Sequence, residues 1–471
     1  MTVTSPAPTV AHALQDAAPR VFWSDRPDAP PARPPLLGRT TADLVVVGGG
    51  LTGLWAAYRA VERGEHADVV LLDAERVGFG ASGRNGGFIS SSLTHGLAHG
   101  ESMWPGEVAQ LHAAGEANLA QIVATVAAEG IDAGLDLCGK TTVAVADWQV
   151  EALRAGYERA LRYGEDVQWQ DEEQVRADVA SPTYLAGLRT RSGGGLVDPV
   201  RLCWGLAAAA ERRGVRIYES TTVEGVERDG TGVRVSTTSG TVHARQVVVA
   251  TAAYRSPLRR LDHYVLPVYD HVLVTEPLSD AQLASIGWSA RQGLTDAGNQ
   301  FHYYRLTADN RILWGGWDAI YHRGGSTDPR QEQRWPSFVT LAEHFFTTFP
   351  QLEGTVFTHR WAGPIDSTSR FTAMYGTAVG GRVAYAVGHT GLGVGASRFS
   401  ADVALDLLAG RPTERTSYRM VTRRPVPFPP EPVRDPVVQV TRSSLLAADA
   451  HEGRRNAWLR LLDRFGVGFA S

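Results

Sequence analysis

Lysine is almost missing from this chain: Lys140 stands alone, and arginine supplies every other basic side chain. Cysteine is nearly as scarce. Cys138 and Cys203 are too few for a disulfide framework or a zinc site, and no metal is expected; their usage fits a reducing cytoplasm. The net charge of −4 gives no electrostatic reason to bind nucleic acid or an anionic membrane surface. No run of about 18 uninterrupted apolar residues occurs, so no membrane span is expected. The opening "MTVTSPAPTVAHALQDAAPR" has neither a basic start nor a continuous apolar core, which argues against a secretory signal. No solenoid-length repeat is visible, and no segment specifies an oligomeric state. What remains is the composition of a soluble globular enzyme, 43% hydrophobic and 20% charged, in 471 residues, enough for two or more domains.

Against that background "DLVVVGGGLTGLWAA", residues 43 to 57, reads as an apolar strand, a glycine cluster and a helix. Gly48, Gly50 and Gly53 form G-x-G-x-x-G at the strand–helix junction. The first glycine permits the tight turn, the second lets backbone approach a diphosphate, and the third allows close helix–strand packing. The diphosphate would meet the positive end of the helix dipole through backbone of Leu51 and Thr52. A second strand, "ADVVLLD", ends at Asp73, whose carboxylate suits a ribose diol, with Ala74 beside it. A turn between packed elements in a chain of 50 glycines is the blander alternative.

The glycine-dense "ERVGFGASGRNGGF" follows directly, residues 75 to 88, with Gly80, Ala81, Ser82, Arg84, Asn85, Gly86 and Gly87 crowded together. It suits backbone wrapped on a large ligand, or else a surface loop. Near the end, "VGHTGLGVGASRFSADVALDLLAG" repeats the strand, glycine turn, helix order of the opening. Recurrence of that order near the start, middle and end predicts a discontinuous nucleotide domain interleaved with a second domain. Residues 1 to 40, rich in Pro and Ala, read as an extended arm with little core of its own. The Pro-rich "RRPVPFPPEP" leads to a short charged helix.

"GASGRNGG", "GGGLVDPVRL", "VVVATAAY", "FHYYRLTADNRILWGGWD" and "VGHTGLGVGASRFSADVALDLLAGR" together resemble segments of the D-amino acid oxidase and glycine oxidase superfamily of flavoproteins, in family order. The opening "VFWSDRPDAPPARPPLLG" and the Pro-rich tail are most similar to the γ-glutamylputrescine oxidoreductase branch. The resemblance implies FAD rather than NAD, bound without a covalent link. It implies an α/β fold: a Rossmann-like FAD domain (41–95, 190–260 and 355–411) interleaved with an α+β substrate domain on a largely antiparallel sheet (96–189 and 261–354). The arm (1–40) and a C-terminal extension (412–471) flank them.

The implied reaction is oxidation of an amine or amino-acid C–N bond by hydride transfer to flavin N5, giving an imine that hydrolyses. O2 would then take the electrons and become H2O2. An amine dehydrogenase with another acceptor, a flavin monooxygenase and a catalytically inactive flavoprotein remain open alternatives. The late helix start would direct amides of Gly391, Leu392, Gly393 and Val394 at the polar edge of the flavin. His389 lines the same pocket or serves as a structural hydrogen-bond donor. By the same resemblance Val223, Ala250, Thr251 and Trp361 belong to the cofactor site, although Trp361 also suits a packed core. Tyr269 and His271, two apart on one strand, share a face, as do His302 and Tyr304, with Tyr303 opposite; the four are the catalytic candidates, or half-buried strand residues. Arg84 contacts a substrate anion or braces the loop. Lys140 lies outside the matching segments, so His271 is the expected cation for promoting reaction with O2.

Overall fold

The computed structural model describes residues 6–468, so the first five positions of the expected arm and the last three of the expected extension lie outside it. Leu44–Val47 and Val69–Leu72 are apolar throughout because both faces of these strands are covered. They sit inside an eight-stranded sheet. Its order is Met374–Ala378, Val383–Val387, Gly240–Val249, Gly38–Val47, Val69–Leu72, Arg216–Tyr218, and the pairings are parallel from Val383–Val387 onward. The hairpin Val223–Asp229 and Gly232–Thr237 branches from the first half of Gly240–Val249.

Alternation along the first strand sorts its side chains into two cores. Leu44 and Val46 join the helices Leu51–Glu62 and Pro199–Arg212, while Val45 and Val47 meet Val233 and Val235 of the hairpin. The long helix Gly393–Ala409 lies beside Leu51–Glu62, tied by Arg59 Nε to Asp402 Oδ1 at 2.9 Å.

A second eight-stranded sheet runs Phe357–Ser367, Leu266–Thr275, Ile312–Tyr321, His302–Leu306, Gly293–Asp296, Lys140–Ala144, Ala186–Thr190, Val167–Gln170. It is antiparallel except where Gly293–Asp296 meets Lys140–Ala144. Helix Trp335–Thr348 packs Phe338, Leu341 and Phe345 on one face of this sheet. A two-stranded ribbon, Phe88–Ser90 with Gly194–Leu196, completes the strand set among the described residues.

Three expectations need correction. The arm is docked: helix Pro8–Leu14 buries Val10, Ala13 and Leu14 in the core of the second sheet. Residues 357–367 pair with Leu266–Thr275, so the chain returns to the first sheet only at Met374, later than the boundary at 355. Beyond the Pro-rich run the described residues form two helices, Arg434–Ala450 and Ala457–Arg464, rather than one short one. No helix among the described residues is long and apolar enough to cross a membrane.

Candidate functional site

One cavity of about 1080 Å³ lies between the two sheets. The early turn contributes Gly50, Leu51 and Thr52, and the glycine-dense loop contributes Ala81, Ser82, Arg84, Asn85 and Gly86. Ala250, His389, Gly391, Leu392, Gly393 and Val394 close the same wall. Residues separated by hundreds of positions thus meet because the parallel strands all end at this edge, where ligands bind in open α/β sheets.

The glycines are demanded by contact. A Cβ on Gly48, whose φ is +108°, would stand 2.4 Å from the Ala250 carbonyl oxygen; one on Gly53 would stand 1.8 Å from that of Gly48. At Gly50 it would point at Ser82 Oγ, 2.8 Å away on the cavity wall. Ser82 Oγ accepts the Leu51 N–H at 2.9 Å and so fixes the loop against the helix start. This bare backbone cradle at a helix N-terminus fits a dinucleotide diphosphate.

Other expected cofactor residues stand behind the wall. Asp73 accepts N–H groups of Gly49 at 2.5 Å and Glu75 at 2.8 Å, and burial raises its carboxyl despite both bonds. A carboxylate has lone pairs left for a ribose. Ala74 follows it on the exposed side, and Val223 opens its hairpin strand opposite Thr237. Gly80 lies under the Tyr254 ring, Gly87 (φ +74°) against the Val197 carbonyl, and the buried Thr251 Oγ1 has no partner among the described residues.

Trp361 is not at the cavity. It is 1% exposed and donates Nε1–H to the Arg84 carbonyl at 2.8 Å. Trp23, from the arm, does the same for the Asn85 carbonyl at 2.9 Å. Asn85 caps its own short helix, Nδ2 donating to the carbonyls of Ala81 and Ser82. Arg84 pairs weakly with Glu332 at 3.3 Å and stacks over Phe79 at 4.1 Å, so it bridges the loop to the second sheet's side. His389 links the two glycine turns, Nε2 lying 3.0 Å from Ser400 Oγ and 3.4 Å from Thr52 Oγ1.

Of the four catalytic candidates the structure brings only Tyr269 to the cavity. On Leu266–Thr275 the cavity receives Leu266, Val268, Asp270 and Val272. His271 points the other way, fully buried, its ring 5.2 Å from Phe338 and both nitrogens unpartnered among the described residues. Burial lowers it to about 4, so it is neutral at pH 7 and cannot supply the expected cation. Tyr269 reaches the cavity edge but packs edge-on against His322 at 5.0 Å. His302 and Tyr304 do share a face, but it is the core face: His302 stacks on Trp314 and binds Asp296, and Tyr304 binds Tyr184 Oη at 2.7 Å.

The pair that faces the cavity is Asp270 and Tyr303, one residue off register from the expected ones. Tyr303 Oη donates to Asp270 Oδ2 at 2.5 Å. Burial raises the Asp270 carboxyl to about 6, opposed first by that hydrogen bond, and pushes the Tyr303 hydroxyl well above its ordinary range. The Tyr303 ring fits only because Gly86 and Gly315 lack side chains; a Cβ on either would lie within 2.6 Å of it. Lys140, although outside the segments that carry the resemblance, also lines the cavity.

A family model described as FAD dependent oxidoreductase (DAO) matches residues 43–407. γ-Glutamylputrescine oxidoreductase of Escherichia coli is 32% identical over 391 residues, covering 82% of this chain and 88% of that protein. A Haemophilus influenzae protein described as an oxidoreductase, OrdL, is 30% identical over 391 residues, covering 80% and 85%. The crystal structure of glycine oxidase from Geobacillus kaustophilus shares the fold, with TM-score 0.67 and 21% identity over 82% of this chain and 99% of that one.

Proposed function

Since this chain belongs to the DAO family of FAD-dependent oxidoreductases, we propose that it oxidises a small primary or secondary amine or amino acid at the carbon beside nitrogen. The amine, O2 and water would give a carbonyl compound, ammonia or a smaller amine, and H2O2. Bound FAD supplies the two-electron acceptor that such an oxidation requires.

The chain's own residues do the rest. The Gly48–Gly53 turn would hold the diphosphate and Asp73 the ribose, and the Gly391–Val394 amides would supply positive potential to the electron-rich edge of the ring system. Asp270 Oδ2 takes a proton from the substrate ammonium, because only a neutral amine can give up its C–H electrons. Tyr303 holds that carboxylate by its hydroxyl and keeps part of it ionised near neutral pH. The apolar wall of Leu266, Val268 and Val272 excludes water around them. The observation carrying this reading is that cradle, loop and late helix start line one cavity with the half-buried Asp270 carboxylate, held by Tyr303, on the same lining.

The E. coli relative's name points to an acylated diamine, which favours amines over simple α-amino acids here. FAD would be held without a bond to cysteine, since Cys203 is sealed in the helix core and neither cysteine lines the cavity. The two free cysteines fit a reducing cytoplasm. The test is anaerobic: a yellow holoprotein should bleach with the correct amine, and admitted air should restore the colour with stoichiometric peroxide. Bleaching without reoxidation in air would assign the site to a dehydrogenase, and bleaching by NADPH alone would overturn the amine reading.

A further inference from the structure

Asp270 stands at one end of an apolar stripe of cavity wall. On the strand Leu266–Thr275 its face continues through Val268 to Leu266, about 13 Å away at about 3.3 Å per residue. Ile365, paired with Val268 on the neighbouring strand, widens the stripe.

The C-terminal segment roofs it. Phe428 is fixed beside the far end, its N–H donating to the His263 carbonyl at 2.7 Å. Glu431 accepts the Tyr321 hydroxyl at 2.7 Å and the Gly324 N–H at 3.0 Å. Helix Arg434–Ala450 then lies against the strand Ile312–Tyr321. Val437, Val438, Thr441 and Leu445 share one face of that helix, and all four line the cavity. The three apolar ones are half-buried and belong to neither sheet's apolar core.

Polar side chains of the roof are already engaged. Thr441 Oγ1 donates to the Val437 carbonyl at 2.8 Å and accepts Trp458 Nε1–H at 2.9 Å. Arg442 pairs with Asp318, and Arg455 with Asp463 at 2.7 Å. Floor and roof thus offer a ligand apolar surface and charges that already have partners. Apolar groups gain by leaving water for such a place, whereas a second charge on the ligand would lose its hydration there. Resting on the amine-oxidase reading, we propose that this chamber is a subsite for an apolar substituent of the amine. The substrate is then a monoamine with an extended alkyl chain, its nitrogen at Asp270 and its chain running along Val268 and Leu266 under the C-terminal roof.

The full-length holoprotein is tested by anaerobic flavin reduction with butylamine, hexylamine and octylamine. The value of kcat/KM should rise about three- to fourfold for each added methylene, on the order of a hundredfold from butylamine to octylamine. 1,8-Diaminooctane, which ends in a second charge, should fall roughly tenfold or more below octylamine. Val438→Asn and Leu445→Asn should each cut the octyl-to-butyl ratio by about fivefold or more. Because the ratio compares two substrates on one variant, a general loss of folding or flavin cancels. Octan-1-ol carries the chain without the nitrogen and supplies a binding readout by calorimetry. It should bind the parent, and each variant about fivefold or more weakly. A flat alkyl series, a ratio unchanged in both variants, a diamine as good as octylamine, or no octan-1-ol binding by the parent overturns the subsite. Bleaching by none of the amines, with octan-1-ol binding weakened in the variants, overturns the amine reading and leaves the subsite standing.

Discussion

Tyr303→Phe isolates one hydrogen bond in the proposed chemistry. The substitution removes only Oη, which donates to Asp270 Oδ2 at 2.5 Å, and leaves the ring wedged between Gly86 and Gly315. A hydrogen bond to a charged group is worth about 1.5–3 kcal/mol. At about 1.4 kcal/mol per pH unit, losing it raises the acceptor by about one to two units. Asp270 sits at about 6 with the bond in place. Without it, the carboxyl should titrate at about 7–8. A base must be ionised to accept a proton, so activity falls as pH drops through this value. The acidic limb of the anaerobic flavin-reduction rate should therefore move up by about one to two units in the variant, with the plateau at high pH within about threefold of the parent. Stopped-flow reduction across pH 5–10 measures both. A limb that stays in place, or moves down, refutes the assignment of Asp270 as the base.

His271→Leu should leave that pH profile intact, because the imidazole faces Phe338 instead of the cavity. It should stabilise the protein at pH 7 by about 1–3 kcal/mol, since it removes two buried unpartnered nitrogens. Burial holds His271 at about 4, below its ordinary value of about 6.5, so its neutral form supports the fold fully above that upper value. That support falls away as pH drops towards the lower one, and melting curves over this window should show a shallower loss in the variant. A tenfold slower reduction in His271→Leu would show that the ring reaches the substrate. Gly53→Ala must push its Cβ away from the Gly48 carbonyl, 1.8 Å distant, at an overpacking cost of about 1–3 kcal/mol. The purified variant should be colourless or nearly so; full flavin content at parental stability would contradict the cradle.

The cradle was legible because close backbone approach leaves glycine no substitute. Gly48, Gly50 and Gly53 each meet an atom within 2.8 Å of a hypothetical Cβ, and such constraints print directly into sequence. The strand Leu266–Thr275 was legible as a strand but not in orientation. It is covered on both sides, by helix Trp335–Thr348 and by the cavity, so apolar residues occupy both faces. Alternation then groups Tyr269 with His271, although Tyr269 reaches the cavity edge and His271 packs on Phe338, and it says nothing of which group sees the ligand. Histidine drew attention because it titrates near neutrality, while Asp270 was passed over. A readable clue to the true face was the pair Gly315 and Gly316 in the neighbouring strand, since Gly315 sits opposite Tyr303 and makes room for its ring. The docked arm escaped notice because a seven-residue helix has too few apolar positions to show a period.

The helices Arg434–Ala450 and Ala457–Arg464 bring Val438, Thr441, Arg442, Leu445 and Leu459 to the cavity, although the family match stops at residue 407. Part of the cavity wall is therefore written outside the stretch shared with the family. Exchanging the tail between relatives should change the shape of that wall while leaving the early glycine turn and the late helix start in place.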